Sequence, residues 1–406
     1  MLEGKCVVIG VTGSIAAYKS ADLASRLKKL GADVHVIMTK NATEFIAPLT
    51  FETLTGNKCL VDTFDRDFRF DVTHIEIAKA ADLMVIAPAS ADYIAKAAAG
   101  IADDMLTTVT LAATCRKLVF PAMNTHMLEN AVTQRNIETL KEYGFFVAES
   151  AEGLLACGDT GKGKMPEPAD ITEYVLRELY AEKDMKGMKV VVTAGPTQEA
   201  IDPVRYITNH SSGKMGYAIA RVCMLRGADV ELVTGRTMLP PPPFVHVTEI
   251  ESTADMFDAV TKEAKDAAFV FKAAAVSDYT PAVKYDDKVK KKDDDMSIQL
   301  ERTKDILMEL GKNRRPGQVL CGFSMETRDL LENSTKKLDK KNADIIVANN
   351  LKVEGAGFGT DTNVITIITR KGHRQLEKVS KFEAAEAVVD EAMKIRSEKL
   401  RSCQAI

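Results

Sequence analysis

No run of about 18 uninterrupted apolar residues occurs in this sequence, and a membrane-spanning helix requires that length. A membrane span is therefore not expected. The opening, MLEGKCVVIGVTG, lacks a charged region followed by an apolar stretch and a cleavage site, so export is not expected either. The seven cysteines (6, 59, 115, 157, 223, 321 and 403) are scattered and include no Cys-x-x-Cys pair. That argues against a disulfide framework or a structural zinc site, and for a reducing cytoplasm. A formal charge of -4 supplies no basic field for nucleic acid, although a local group of lysines can still serve small anionic substrates. Two nucleotide fingerprints are also missing. SSGKMG (211–216) has Met215 after Lys214, where a Walker loop needs serine or threonine, and G-x-G-x-x-G follows neither Val11 nor Thr193. Neither a P-loop ATPase nor a dinucleotide-dependent dehydrogenase is supported.

What is present fits an ordinary globular protein of more than one domain, because 406 residues exceed the size at which one hydrophobic core keeps growing. Apolar runs bounded by turn signals recur at 6–11, 34–38, 83–87, 118–121, 190–194, 230–233, 269–274, 319–323 and 345–348. Alanine- and leucine-rich stretches of helical period, such as 14–30 and 217–226, lie between them. Continuous apolar strands alternating with helices predict an α/β fold: two Rossmann-like domains with mainly parallel sheets covered on both faces.

The opening pattern occurs twice. KCVVIGVTGSIAAYK (5–19) and MKVVVTAGPTQE (188–199) are each a buried-type strand running into a small-residue turn, the usual start of a nucleotide-binding α/β domain. LRELYAEKDMKGM (176–188) reads as the end of a polar helix and a linker, which places the boundary near 184 and the domains at 1–184 and 185–406. The prolines at 240–243 and the charged stretch KYDDKVKKKDDDM (284–296) read as surface loops. VITIIT (364–369) followed by a helix from Lys381 onward predicts that the second domain ends in sheet and helix.

TGSIAAYK (12–19) puts Gly13 and Ser14 where a strand turns into a helix, so backbone N–H groups and a hydroxyl can meet a phosphate at the positive helix end. The same residues also serve as a plain turn and N-cap. FDVTHIEIAKAAD (70–82), APASADYIAKAAAGIADDMLTT (87–108), PAMNTHM (121–127) and LACGDTGKGKMPEP (155–168) accompany them. Together, residues 4–175 resemble the homo-oligomeric flavin-containing cysteine decarboxylases. The resemblance implies a flavodoxin-like domain that binds FMN and decarboxylates phosphopantothenoylcysteine. A cysteine-derived carboxylate has no electron sink of its own, and a flavin that oxidises the thiol supplies one. By the same resemblance His74 is the catalytic histidine, Asn124 grips the substrate carboxylate or amide, and Cys157 donates the proton when the ene-thiolate is reduced. Gly13, Ser14, Ile15, Thr39 and Ser90 are implied at the flavin. Gly153, Gly158, Gly161 and Gly163 fit neither helix nor strand and predict a mobile lid around Cys157. Asp92 stands where the family commonly carries asparagine, turning an amide donor into an acceptor. Asp103 and Asp104 are read as helix or loop residues and not as metal ligands.

TAGPTQEAIDPVRYITNHSSGKMGYAIA (193–220) is the most distinctive stretch, and Ser211, Ser212 and Gly213 before an alanine-rich helix can bind anions through backbone N–H groups. With KAAAVSDY (272–279), DDKVKK (286–291), GFSMET (322–327) and KKLDKKNADIIVANN (336–350), residues 186–395 resemble the phosphopantothenate-cysteine ligase domain. The resemblance implies CTP and Mg²⁺ as requirements, with phosphopantothenate and cysteine as substrates. It puts Asn209 at the acyl-cytidylate and Lys288 in the amine-attack half-reaction. It also assigns Lys272, Ala273, Ala274, Asp278, Lys288, Lys304, Asp305, Ile306, Leu307, Phe323, Lys337 and Lys341 to CTP. Lys337 and Lys341, four residues apart, are expected on one helix face. Thr303-Lys304 replaces the Asn-Pro of many relatives. The order of the two domains resembles the bifunctional enzymes of coenzyme A biosynthesis, and trimer-based flavin domains with dimeric ligase domains are implied. A decarboxylase with a degenerate second domain and a non-catalytic flavoprotein regulator are the alternatives; Asn209 and Lys288 weigh against the first, His74, Asn124 and Cys157 against the second.

Overall fold

The computed structural model describes residues 1–64, 73–154, 158, 160–290, 296–326, 330–350 and 360–404. The chain divides into two compact units, Met1–Ala181 and Glu182–Ile406. In the first, strands Asp33–Met38, Cys6–Val11, Leu83–Ala89, Arg116–Pro121 and Phe146–Val147 stand side by side in that order, all parallel. Numbered along the chain the order is 2-1-3-4-5, the flavodoxin-like arrangement. Burial explains the unbroken apolar runs: Val7, Val8, Ile9, Met84, Val85 and Ile86 are fully enclosed because helices cover both faces. Helix Ala17–Lys29 contributes Ala17, Ser20, Leu23, Ala24 and Leu27 at helical spacing, with Arg26, Lys28 and Lys29 in its last turn, where cations suit the helix dipole.

The second unit has an eight-stranded sheet in the order His246–Glu249, Asp229–Thr234, Lys189–Ala194, Phe269–Lys272, Val319–Glu326, Ile345–Asn350, Ile365–Thr369 and Gly372–Gln375. Its first six strands are parallel and follow the Rossmann order 3-2-1-4-5-6, while each of the last two pairs antiparallel with the strand before it. Helix Lys214–Leu225 lies so close to the sheet that a Cβ on Gly216 would come within 2.6 Å of the Ala194 Cβ. The final helix, Lys381–Gln404, buries Ala384, Ala385, Val388, Val389 and Ala392.

One expectation about the first unit is corrected. The glycine-rich segment before helix Pro168–Leu179 forms an antiparallel hairpin of Ala151–Leu154 and Thr160–Lys164, although its glycine spacings match neither a helix nor a strand pattern. Close approach is the physical reason. Gly163 has φ +131°, and a Cβ there would sit 2.2 Å from the Met123 carbonyl oxygen. The Met123 N–H donates to the Gly163 carbonyl at 3.1 Å and the Thr125 hydroxyl to the Lys162 carbonyl at 2.7 Å, so the hairpin is seated on the loop that carries Asn124. Cys157, which falls between these two strands in the sequence, lies outside the described residues.

In both sheets the strand order reverses beside the first strand of the unit, which opens a crevice at the carboxyl ends of the strands. A buried threonine braces each crevice. The Thr12 hydroxyl donates to the Pro88 carbonyl at 2.8 Å and accepts from the Ser90 N–H at 2.8 Å; the Thr193 hydroxyl accepts from the Ala274 N–H at 3.0 Å. Thr12→Val keeps the shape and leaves the Ser90 N–H without that acceptor. It should cost about 1–3 kcal/mol, measured as a lower urea midpoint at unchanged slope; an unaltered midpoint would show the hydroxyl to be dispensable.

Candidate functional site

The crevice of the first unit is a cavity of about 450 Å³, within the range of small-molecule sites. Gly13, Ser14 and Ile15 come from the turn after the first strand, Ser90 from the turn after the third, and Asn124 from the turn after the fourth. Its walls are largely apolar, with Ile15, Tyr18, Met127 and Leu154 exposed at its rim. The arrangement suits a flat ring system bearing an anionic tail. A Cβ on Gly13 would stand 2.7 Å from the Asn41 Cβ, so only glycine fits there. The adjoining helix Ala17–Lys29 begins at Ala16 without a side-chain cap, which leaves its positive end toward the cavity wall formed by 13–16. Asn124 caps helix Thr125–Glu129, its side-chain oxygen accepting from the His126 N–H at 2.9 Å. Two lysines that the motif reading missed, Lys19 and Lys164, also line the cavity. Both approach Glu167, at 2.7 and 3.8 Å, and the Lys19 hydrogen bond holds that carboxyl below its usual range.

The remaining first-unit candidates do not join this cavity. Thr39, which caps helix Lys40–Thr43, lines a separate polar cavity of about 670 Å³ with Asp92, Asp103 and Asp104. Lys96 stands among those three carboxylates at 3.5, 3.2 and 3.9 Å. Asp104 caps helix Met105–Ala112. His74 lies half-buried on helix Thr73–Ala80 and lines neither cavity.

The crevice of the second unit holds two adjoining cavities, of about 420 and 590 Å³, which share Lys272, Val276, Asp278, Phe323 and Lys337. The smaller one collects Asn209, Ala273, Ala274, the loop 210–213 and the first turn of helix Lys214–Leu225, and adds Lys381. Asn209 is placed by its amide, which donates to the Ala275 carbonyl at 3.1 Å. The larger cavity gathers Lys304, Asp305, Ile306, Leu307 and Lys341, together with Arg302, Lys336 and Lys340. Seven cationic side chains there face only Asp278 and Asp305. This is the charge pattern a polyphosphate requires.

Individual contacts set these cations in place. The Lys337 ammonium donates to the Phe323 carbonyl at 3.0 Å, and Lys341 pairs with Asp305. Lys341 falls one residue past helix Leu330–Lys340, yet its N–H still donates to the Lys337 carbonyl at 3.0 Å, so the two side chains share a side as the spacing predicts. Asp305 caps helix Ile306–Lys312 through the Met308 N–H; burial pushes its pKa up, but the Lys341 contact and that N–H outweigh burial and leave it lowered. In the replaced Thr303-Lys304 turn, the Thr303 hydroxyl donates to the Ser277 carbonyl at 2.7 Å and the Lys304 ammonium sits 4.7 Å from the Phe257 ring centre. Lys272 is crowded at the shared wall. Burial, and then the Lys337 charge, depress its pKa to about 8 against the opposing pull of Asp305 and Asp278.

Lys288 is exposed and lines neither cavity. Its segment is nevertheless anchored, because the Val289 N–H donates to the buried Asp202 carboxylate at 3.1 Å and Arg205 donates to the Val289 carbonyl at 3.2 Å. Arg205 and backbone N–H groups hold the Asp202 pKa well below the carboxylate range. Asp202 and Arg205 occupy the turn between strands Gln198–Ala200 and Tyr206–Thr208, the second of which leads directly into Asn209.

A family model described as Flavoprotein matches residues 1–180, and one described as DNA/pantothenate metabolism flavoprotein C-terminal domain matches residues 185–395. The coenzyme A biosynthesis bifunctional protein CoaBC of Bacillus subtilis (strain 168) is 45% identical over 395 residues, covering 96% of this chain and 97% of the relative. This chain belongs to the CoaBC family. The Escherichia coli (strain K12) member is 38% identical over 98% of this chain and 99% of its own length. Among solved structures, the crystal structure of the C-terminal domain of a CoaBC protein is 40% identical, covers 53% of this chain and 100% of that one, and has a TM-score of 0.46.

Several residues at the CoaBC-type cavities escaped motif reasoning. Lys336 and Lys340 were legible in principle, since KK recurs four residues apart in KKLDKK and puts a second pair on the adjoining helix face. Lys381 carried no such signal, because it reaches the smaller cavity from the start of the last helix.

Lys272 yields a pH dependence with a defined sign. An anion binds the ammonium form better, so bound polyphosphate raises the Lys272 pKa and takes up protons near pH 8. Affinity for inorganic triphosphate should therefore be greatest below about pH 8 and decline as pH rises through it. Calorimetry in buffers of different ionisation enthalpy reads that uptake, and Lys272→Met should remove it. An identical uptake in the variant would assign the titration to another group.

Proposed function

We propose that the second unit joins 4'-phosphopantothenate to cysteine at the expense of CTP, and that the first unit decarboxylates the product to 4'-phosphopantetheine. The observation carrying this reading is the near full-length likeness to bifunctional CoaBC proteins, in a chain with a cavity at each crevice built from the family's motif residues. A carboxylate is a poor electrophile, so it must first be activated. The phosphopantothenate carboxylate attacks the α-phosphorus of CTP, forming an O–P bond and releasing diphosphate. The cysteine amine then attacks the acyl carbon, and CMP leaves with the former carboxylate oxygen.

The second-unit residues divide this work by charge. Lys272, Lys304, Lys337 and Lys341 hold the triphosphate, together with the Mg²⁺ it carries, in the larger cavity. The cytidylate intermediate lies at the shared wall, within reach of Asn209 in the smaller cavity. Ala273 and Ala274 line the smaller cavity beside it, and Phe323 supplies an apolar face. Lys288, on a segment tied through Asp202, acts in the amine-attack step.

For the first unit, the Gly13 turn and the apolar cavity fit FMN, which when bound supplies an electron sink for the substrate thiol. Gly13, Ser14 and Ile15 hold its phosphate, and Ser90 borders it. Asn124 orients the substrate carboxylate, His74 acts as the base or orienting group, and Cys157 returns a proton to the ene-thiolate. We further propose trimer-based association of the flavin domain and dimers of the ligase domain, in the reducing cytoplasm. Among the described residues, no helix is long and apolar enough to cross a membrane.

The two activities separate by substitution. With phosphopantothenate, cysteine, CTP and Mg²⁺ supplied, mass spectrometry should find 4'-phosphopantetheine; the cysteine adduct without CO₂ would remove the decarboxylase half, and no turnover would reject the whole reading. Asn209→Asp should slow ligation by about 10²-fold or more while decarboxylation of supplied phosphopantothenoylcysteine is unchanged; equal loss of both would indicate misfolding. Cys157→Ser should still release CO₂ but stop at the oxidised ene-thiol. A normal yield of phosphopantetheine from that variant would contradict the proton-donor role.

A further inference from the structure

At the opposite end of the first sheet, away from the crevice, Cys6, Asp33 and His35 converge. Cys6 and Asp33 are register partners on the two neighbouring strands, and Asp33 and His35 are two residues apart, so all three side chains share one sheet face. Their thiol, carboxylate and imidazole ligand atoms all lie within 4.8 Å of one another. The site sits at the amino-terminal end of six-residue strands, roughly 17 Å from the crevice at their carboxyl ends.

We propose that these three residues bind a divalent ion of the borderline-soft class, with Zn²⁺ the best fit. The donor set supports the assignment, because one thiolate, one imidazole and one carboxylate form a mixed S, N, O site suited to tetrahedral Zn²⁺, with a fourth position left for water. The outer contacts are those of an oriented ligand. The Asn57 amide donates to Asp33 Oδ1 at 2.9 Å and to the Val34 carbonyl at 2.9 Å, while Asp33 Oδ2 meets His35 Nε2 at 3.1 Å. The carboxylate thus has one oxygen anchored and the other directed into the cluster.

The Asp33 and Asp82 carboxylates stand beside Cys6, and a bound divalent ion would offset their charge. The thiol proton passes to solvent, a metal–sulfur bond forms, and no electron transfer is involved. The ion would tie the edge strand to its neighbour and stabilise the folded unit by mass action. No Cys-x-x-Cys or His-x-x-His spacing announces such a site, because strand register assembles it.

Co²⁺ titration of the full-length protein tests the proposal. Thiolate-bound tetrahedral Co²⁺ has intense long-wavelength d–d bands, which lie clear of flavin absorption. Wild type should develop them and lose them on addition of Zn²⁺. Both Cys6→Ser and His35→Gln should lack them, while retaining wild-type melting in EDTA and wild-type ligation. Zn²⁺ should raise the wild-type melting temperature and leave both variants unmoved. Absence of the bands in wild type overturns the proposal, as does their persistence in Cys6→Ser, which would show another thiol taking the ion. If Cys6→Ser fails to fold, the edge-strand variant His35→Gln decides between the same outcomes.

Discussion

Reversal of strand order in a parallel sheet is the constraint from which both candidate sites follow. Connections leaving the first strand of each unit and its neighbour depart to opposite faces, so no helix can cover the gap at their carboxyl ends. The exposed turns must then satisfy their own backbone groups. Thr12 and Thr193 do this from inside the protein, each buried hydroxyl taking a backbone N–H from the neighbouring turn. Ser90 and Ala274 are thereby held in position without any ligand. Glycine completes the arrangement where chains come too close for a side chain, as Gly13 does against Asn41 and Gly216 against Ala194.

The same architecture carries opposite chemistry in the two units. The first crevice is lined by Ile15, Tyr18, Met127 and Leu154, and suits a planar ring. In the second, Lys272, Lys337 and Lys341 converge on a cavity with few carboxylates. Holding those ammonium groups together without an anion is unfavourable, and the structure records the cost at Lys272, whose pKa burial and Lys337 depress together. Beside it, Lys341 pairs with Asp305 and the Lys337 ammonium donates to the Phe323 carbonyl. An anion bound among these groups would relieve the repulsion, so anion binding and lysine protonation would reinforce each other.

Asp202 shows how a site residue can be governed from outside the site. It lines neither cavity, yet its carboxylate accepts five hydrogen bonds from Val204, Arg205 and Val289. Through them the turn before Asn209 and the segment bearing Lys288 become one assembly. That contact joins residues far apart in the chain, and the charged composition around Lys288 by itself indicated only a surface loop.

Local pattern by itself determined much of this protein. The apolar runs at 6–11, 34–38, 83–87 and 190–194 correspond to strands, and the helix from Lys381 onward starts where its pattern starts, because burial on two faces and helical amphipathicity leave short-range signatures. Motifs around Gly13, Asn124, Asn209 and Lys337 likewise marked the segments that line the cavities, though not every lining side chain. Only the tertiary structure decided that 151–164 is a hairpin, since the need for Gly163 arises from a carbonyl forty residues away. It alone separated Thr39 from Gly13, brought Lys381 to the smaller cavity, and set Cys6 beside Asp33 and His35. Side-chain periodicity is a property of neighbours in the chain, whereas register, close approach and charge crowding belong to strands that meet only after folding.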